Sequence, residues 1–150
     1  MKHIHAVYDL AKEQGDITDS SYEALEKRWK DENAERSEKV EKGEVIYGLK
    51  EYTFQLYLDY EISTLKEKYC NDTNREGMKL TEDEIQEHYQ SREWIFGDSD
   101  ENADLEMARI AVERELREQK YDDMITQRET GSQVAGNMEN VNRITLKNIQ

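Results

Sequence analysis

Few residues of this sequence have the types and spacing that chemistry requires. Asp98, Asp100 and Asn102 match the first three ligand positions of a calcium-binding loop, in which alternate oxygen-bearing side chains surround the ion. Ala103 stands where such a loop needs its turn glycine, and Arg109 stands where it needs a bidentate glutamate. We therefore interpret the acidic run as the approach to a helix N-terminus, which favours negative charge, and expect no metal ion.

No zinc site or activated nucleophile is indicated either. His88 has Glu84 one helical turn away but lacks the second histidine of a zinc-binding helix. Cys70 is the single cysteine, and Lys68 is the only basic residue close to it in sequence. The sequence thus predicts no catalytic residues and no cofactor, and we expect that the chain is not an enzyme.

Composition limits the classes of partner. The 150 residues include no proline, 35% are hydrophobic and 37% are charged, and the net charge is -14. Such an acidic chain without a basic run is not expected to bind nucleic acid, because phosphate binding needs surplus Lys and Arg. No apolar run reaches the length of about 18 residues typical of a membrane-spanning helix, and no signal-peptide core is visible at the N-terminus.

Hydrophobic periodicity predicts an all-α protein of about five helices. Apolar residues at helical spacing mark a first helix over residues 4–11 that Gly15 ends, and Ser20 or Ser21 is expected to cap a second helix. Residues 30–44 lose the apolar face, so they are either a solvated helix or an exposed linker. Thr53 is the expected N-cap of a third, long helix.

The clearest helix start is at residues 80–85. Thr81 and Glu84 have the spacing of a capping box, and Leu80 and Ile85 occupy the hydrophobic-staple positions around it. After an acidic loop, a final helix is predicted from about residue 103 to Gly131.

These elements predict one helical domain over residues 1–130, followed by an irregular tail over residues 131–150. Residues 143–147 alternate between polar and apolar, as expected for a short strand. Residues 45–47 are also β-prone, so the two segments could pair as a minor two-stranded element.

Six of the 13 aromatic residues of the chain lie within residues 45–69, in an otherwise charged sequence. Tyrosine and tryptophan offer large contact areas at low entropic cost, so this region is a candidate polypeptide-binding surface. The alternative is that the same rings form the core of a small helical protein. The candidate binding residues are Tyr47, Tyr52, Phe54, Tyr57, Tyr60, Trp94 and Phe96.

Several of these segments together resemble the N-terminal chaperone region of extracytoplasmic foldases of the SurA/PrsA type. Residues 43–48, Gly-Glu-Val-Ile-Tyr-Gly, look like the turn that precedes the long helix of those proteins. Residues 80–89, Leu-Thr-Glu-Asp-Glu-Ile-Gln-Glu-His-Tyr, look like the helix that follows it, and residues 111–125 resemble the helix that closes such domains. The resemblance covers residues 17–125.

The resemblance implies a helical fold of the SurA N-terminal or trigger-factor C-terminal kind that binds unfolded or extended polypeptides. The parvulin isomerase domain of many such foldases has no room in this sequence, which agrees with a non-catalytic role. It also implies an extracytoplasmic or cell-surface location if a leader has been removed, and otherwise a cytoplasmic one. The alternative function is a helical adaptor or assembly subunit with one specific partner, which includes the case of a homodimer.

Overall fold

The computed structural model describes the backbone of residues 1–147 and the side chains of residues 1–131. It contains five α-helices, and no strand occurs within residues 1–147, which confirms the prediction of an all-α fold. In chain order the helices are α1 (Lys2–Glu13), α2 (Tyr22–Glu41), α3 (Phe54–Asn71), α4 (Glu82–Gln90) and α5 (Leu105–Lys147).

The contacts within the chain divide it into two compact units, Met1–Leu65 and Lys66–Gln150. The boundary falls within α3. We describe each unit by itself. The single domain expected over residues 1–130 stays a prediction.

The predicted helix ends are formed by the expected side chains. Ser21 accepts a hydrogen bond from the amide of Ala24 and caps α2, and Thr53 accepts one from the amide of Leu56 at the start of α3. At α4 the capping box is complete, because Thr81 accepts from the Glu84 amide while the Glu84 carboxylate accepts from the Thr81 amide.

The structure decides between two alternatives for one segment and corrects the expectation for another. Residues 30–41 belong to α2 and form a solvated helix rather than a linker. The last helix continues past Gly131 to Lys147, so residues 143–147 are helical and the two-stranded element is not formed within residues 1–147. A glycine inside a helix costs only about 1 kcal/mol, and Gly131 is not in the left-handed conformation that ends α1 at Gly15. Residues 148–150 of the expected tail lie outside the described residues.

The first unit is held together by a buried polar network as well as by apolar packing. Glu61 of α3 is only 8% exposed, and it accepts hydrogen bonds from Tyr8 of α1 and from Arg28 of α2. Burying a carboxylate is costly unless it is paired, so this network fixes how the three helices pack against one another. The buried apolar residues of this unit include Val7, Leu10, Leu25, Tyr57 and Leu58.

The second unit packs α4 against α5 around a buried tryptophan. Trp94 is 2% exposed and shares its core with Ile85, Ala108 and Val112. Charged pairs border this core along the same two helices, with contacts of 2.5 Å between Lys120 and Glu84 and of 2.8 Å between Arg109 and Glu82.

Candidate functional site

The residues just before α3 are fixed to α2 through one backbone position, Tyr52. Asn33 uses both ends of its side-chain amide here: its Oδ1 accepts from the Tyr52 amide at 2.8 Å, and its Nδ2 donates to the Tyr52 carbonyl at 2.9 Å. Trp29 Nε1 donates to the same carbonyl at 2.7 Å. Tyr52 therefore has its backbone groups satisfied by side chains, much as a neighbouring strand would satisfy them.

Arg36, one turn further along α2, holds the preceding segment. Its Nη1 donates to the carbonyls of Tyr47 and Leu49, each at 2.9 Å, and its guanidinium lies 4.6 Å from the centre of the Tyr52 ring. Glu32 pairs with Arg36 Nε at 2.8 Å and so orients the guanidinium. Both contacts to the segment are made through carbonyl oxygens, which leaves its N–H groups to other partners.

Residues 45–49 form an irregular segment, bent at Gly48, whose apolar side chains face solvent. Val45 is 79% exposed, Tyr47 86% and Leu49 47%. Among the described residues, no hydrogen bond involves the N–H groups of residues 45–50. A backbone with unpaired N–H groups beside exposed apolar side chains offers hydrogen-bond donors and contact area to another polypeptide chain.

Beside this segment, aromatic rings form a second contact surface in the same unit. The Tyr52 and Tyr60 rings are stacked, with centres 5.2 Å apart and planes 17° apart, and Tyr60 is 40% exposed. The half-buried Phe54 packs edge-on against Trp29 at 5.5 Å. Of the residues predicted to bind polypeptide, Tyr47, Tyr52, Phe54 and Tyr60 thus present at least part of a ring to solvent.

Tyr57 lies in the same cluster but inside the unit. It is 5% exposed, and its hydroxyl donates to Glu61 at 3.0 Å. Burial, followed by the charge of Glu61, raises the pKa of Tyr57 well above its ordinary value. Its ring supports Tyr52 and Tyr60 from below, so in this structure it shapes the surface without contributing contact area.

The two remaining candidates lie in the second unit and differ from each other. Trp94 is a core residue, whose Nε1 donates to the Tyr89 carbonyl at 3.0 Å. Phe96, two positions on, is 42% exposed. Trp94 therefore fits the alternative interpretation, in which the aromatic rings form the core. Phe96 is accessible to a partner.

Three of the residues singled out for chemistry, Asn102, His88 and Cys70, have structural partners. The Asn102 side chain accepts a hydrogen bond from the Trp94 amide at 2.6 Å, and His88 Nε2 lies 3.2 Å from Glu115. Burial raises the pKa of the Cys70 thiol to about 11, so the thiolate needed of a nucleophile is scarce at neutral pH. Within the described residues, no group of three or more His, Cys, Asp or Glu side chains is arranged to hold a metal ion.

None of the helices within the described residues combines the length and the apolar character needed to span a bilayer.

Sequence reasoning missed Asn33 and Arg36, whose side chains bind the backbone of residues 47–52. Trp29, Asn33 and Arg36 are spaced four and three residues apart, so they share one face of α2. This spacing was the available signal, but it lay within a run of charged residues that resembles an ordinary solvated helix.

Comparison with known proteins gives one informative relative. The chain is 30% identical, over 128 residues, to a protein of Bifidobacterium longum subsp. longum named "Chaperone for lacto-N-biosidase". The match covers 85% of this chain and 46% of that protein, so the chain spans less than half the length of this relative. No family model matches the chain, and no solved structure matches it. The resemblance to SurA/PrsA-type foldases therefore stays a prediction.

Proposed function

We propose that this chain is a non-catalytic chaperone module that binds extended segments of a client polypeptide. The observation that carries the proposal is the segment of residues 45–49, with its outward apolar side chains and unpaired N–H groups. A client segment lying beside it would pair its carbonyls with these N–H groups and pack apolar side chains on Val45, Tyr47 and Leu49.

The neighbouring tyrosines extend the same binding surface. The stacked rings of Tyr52 and Tyr60 would contact client side chains that project beyond the paired backbone. Tyrosine suits this role because a ring with two rotatable bonds buries a large area at small entropic cost. Backbone pairing is independent of sequence, whereas the rings favour apolar and aromatic clients.

The similarity to a chaperone supports the same proposal. The relative's name gives a single client, lacto-N-biosidase. By analogy, we propose that this chain acts mainly on one dedicated client and less on unfolded chains in general. This proposal combines the chaperone hypothesis with the specific-partner hypothesis. The mode of binding that we propose is that of SurA/PrsA-type foldases, without their isomerase domain.

The test is a client-aggregation assay with variants of the exposed segment. The clients are lacto-N-biosidase and two unrelated unfolded proteins, and the variant is Tyr47→Ser/Leu49→Ser, which changes only exposed side chains. The control is Lys27→Ser/Asp31→Ser, which removes an exposed ion pair on α2 without touching the segment.

We expect the unmodified chain and the control to suppress aggregation, and the segment variant to lose most of this activity. Suppression for lacto-N-biosidase alone would identify a dedicated chaperone, whereas suppression for all three clients would identify a general one. If no client is protected, or if the segment variant protects as well as the control, the proposed function is wrong.

A further inference from the structure

The second unit carries an exposed apolar patch that the proposed function does not use. On the first turns of α5, Met107 is 72% exposed and Ile110 is 83% exposed. In the loop before α5, Ile95 is 50% exposed and Phe96 is 42% exposed. Large exposed apolar side chains that lie near one another mark a candidate interaction site.

A groove lies between Ile95 and Phe96 of the loop and helix α5. It has a volume of about 240 Å³, and it is lined by Ile95 and Phe96 on one side and by Ala111 and Arg114 of α5 on the other. Met107 and Ile110 lie one helical turn before Ala111 and Arg114, so they extend the α5 wall of the groove toward the N-terminus of the helix.

The loop beside the groove is held in place by the buried tryptophan. The Trp94 amide donates to Asn102 Oδ1 at 2.6 Å, and the Ala103 amide donates to the Trp94 carbonyl at 2.7 Å. These two bonds close the base of the loop. The exposed residues of the loop, which include Ile95 and Phe96, therefore lie in a loop whose two ends are hydrogen-bonded to each other.

The same loop and the first turn of α5 carry exposed negative charge. No ion pair within the described residues involves the exposed carboxylates Asp98, Asp100, Glu101 and Glu106. Other carboxylates are paired: Asp31, Glu35 and Glu38 of α2 each contact a lysine four residues away. The groove's own cations are also neutralised, since Arg114 contacts Glu118 at 3.1 Å and Arg92 contacts Glu115.

We infer that this patch, defined by Ile95, Phe96, Met107 and Ile110, binds a basic amphipathic segment of a partner protein. The partner's apolar side chains would fill the groove, and its Lys or Arg side chains would face the unpaired carboxylates of the acidic loop. Apolar contact supplies the affinity, while charge complementarity selects a cationic partner and speeds its association.

Charge argues against the other occupants. A second copy of this chain, whose net charge is -14, would bring a second acidic loop against the first if the two patches met. An anionic membrane surface would be repelled for the same reason. The inference does not rest on the proposed function, because the patch and the segment of residues 45–49 share no residue.

The test measures fluorescence anisotropy of labelled peptides with the full chain. The probe is a short peptide in which Leu recurs at every third or fourth position between lysines, and the matched peptides replace Lys by Glu or Leu by Ser. We expect the Lys/Leu peptide to bind, and the Glu/Leu and Lys/Ser peptides to bind at least tenfold more weakly. Raising the salt concentration should weaken the Lys/Leu complex, because the loop carboxylates are exposed.

Two variants separate the apolar and charged parts of the site. Met107→Gln/Ile110→Gln and Asp98→Asn/Asp100→Asn/Glu101→Gln alter only exposed side chains, and each should weaken binding roughly tenfold, which corresponds to about 1.4 kcal/mol. The matched control, Glu35→Gln/Glu38→Gln, removes paired carboxylates of α2 and should leave binding unchanged.

Several outcomes would overturn the inference. If the Lys/Ser peptide binds as tightly as the Lys/Leu peptide, binding reflects only the general attraction of a cation to an acidic protein. If the Glu/Leu peptide binds as tightly as the Lys/Leu peptide, the site does not select a cationic partner. If the α2 control loses as much affinity for the Lys/Leu peptide as the variant of the loop carboxylates, those carboxylates do not form a specific site. A dimer that dissociates on Met107→Gln/Ile110→Gln, seen by sedimentation, would make the occupant a second copy instead.

Discussion

The Tyr8 hydroxyl donates a hydrogen bond of 2.5 Å to the carboxylate of Glu61, a residue 53 positions later in the chain. The same carboxylate accepts from Tyr57 at 3.0 Å and from Arg28 Nε at 2.6 Å. One acidic side chain thus joins α1, α2 and α3, and it places Tyr57 directly beneath the candidate binding surface. Stability of the first unit and the shape of that surface therefore depend on the same network.

Replacement of Tyr8 by phenylalanine tests how much this network contributes. Tyr8→Phe removes one donor from a buried carboxylate and is expected to lower the free energy of unfolding by about 2 kcal/mol, measured by urea denaturation. The control is Tyr22→Phe, because Tyr22 is 62% exposed and its hydroxyl forms no hydrogen bond among the described residues. Equal changes in the two variants would contradict the assignment.

The same tyrosines predict a loss of stability at alkaline pH. Burial and the neighbouring Glu61 raise the pKa of both Tyr8 and Tyr57 above the ordinary value of 10.0. The folded state therefore favours the neutral phenol, a preference that contributes in full below pH 10. As the pH rises further, the unfolded chain ionises first and this stability is progressively lost.

Denaturation midpoints on either side of that pH provide the measurement. Between about pH 9 and pH 11, the stability of the unmodified chain should fall more steeply than that of Tyr8→Phe/Tyr57→Phe, although the variant starts lower. Lys and Cys ionisation affects both proteins alike. Parallel curves would mean that the two phenols ionise as freely in the folded chain as in the unfolded one.

Asn102 is predicted to anchor the acidic loop through its side-chain oxygen. Asn102→Ala leaves the Trp94 amide without its acceptor and should cost about 1 kcal/mol of stability, with faster hydrogen exchange of that amide. Asn102→Asp keeps an acceptor oxygen at the same position and should protect the amide nearly as well as asparagine does. If the aspartate variant exchanges as fast as the alanine variant, the anchor is not this hydrogen bond.

Arg36 is predicted to support the segment of residues 45–49 without contacting a client through its charge. Arg36→Met removes the donors to the Tyr47 and Leu49 carbonyls but keeps much of the apolar stem. Proteolytic cleavage within residues 45–51 should become faster, and client protection should fall at least severalfold. Arg36→Lys supplies a single ammonium in place of the two-carbonyl contact, so its effect should be intermediate. If Arg36→Met protects the client as well as the unmodified chain does, Arg36 has no role in the proposed function.

The positions of the helices were largely readable from the sequence because their signals are local. Thr81 and Glu84 lie three residues apart and satisfy each other's amides whatever surrounds them, so the start of α4 follows from the spacing alone. The end of α5 was not readable, because Gly131 lowers helix propensity by an amount that neighbouring residues can offset. The propensity cost of one residue is small, so a single glycine does not by itself end a helix.

The candidate site was only partly readable for a related reason. Tyr47 and Tyr57 look equivalent in the sequence, since both belong to one aromatic stretch, yet the first is 86% exposed and the second 5% exposed. Asn102 looked like a fragment of a calcium loop, whereas its oxygen serves the Trp94 amide. In each case the partner lies on another element, beyond the reach of periodicity and spacing.

The sequence by itself determined that the protein is α-helical, acidic and rich in aromatic side chains near residue 50, because composition, caps and 3.6-residue periodicity act over short distances. Only the tertiary structure decided which rings are buried, which backbone groups are left unpaired and which carboxylates lack a cation. Those properties depend on contacts between residues distant in sequence, such as Tyr8 with Glu61 and Arg36 with Leu49. Burial and pairing are set by packing, and packing is settled only when the helices meet.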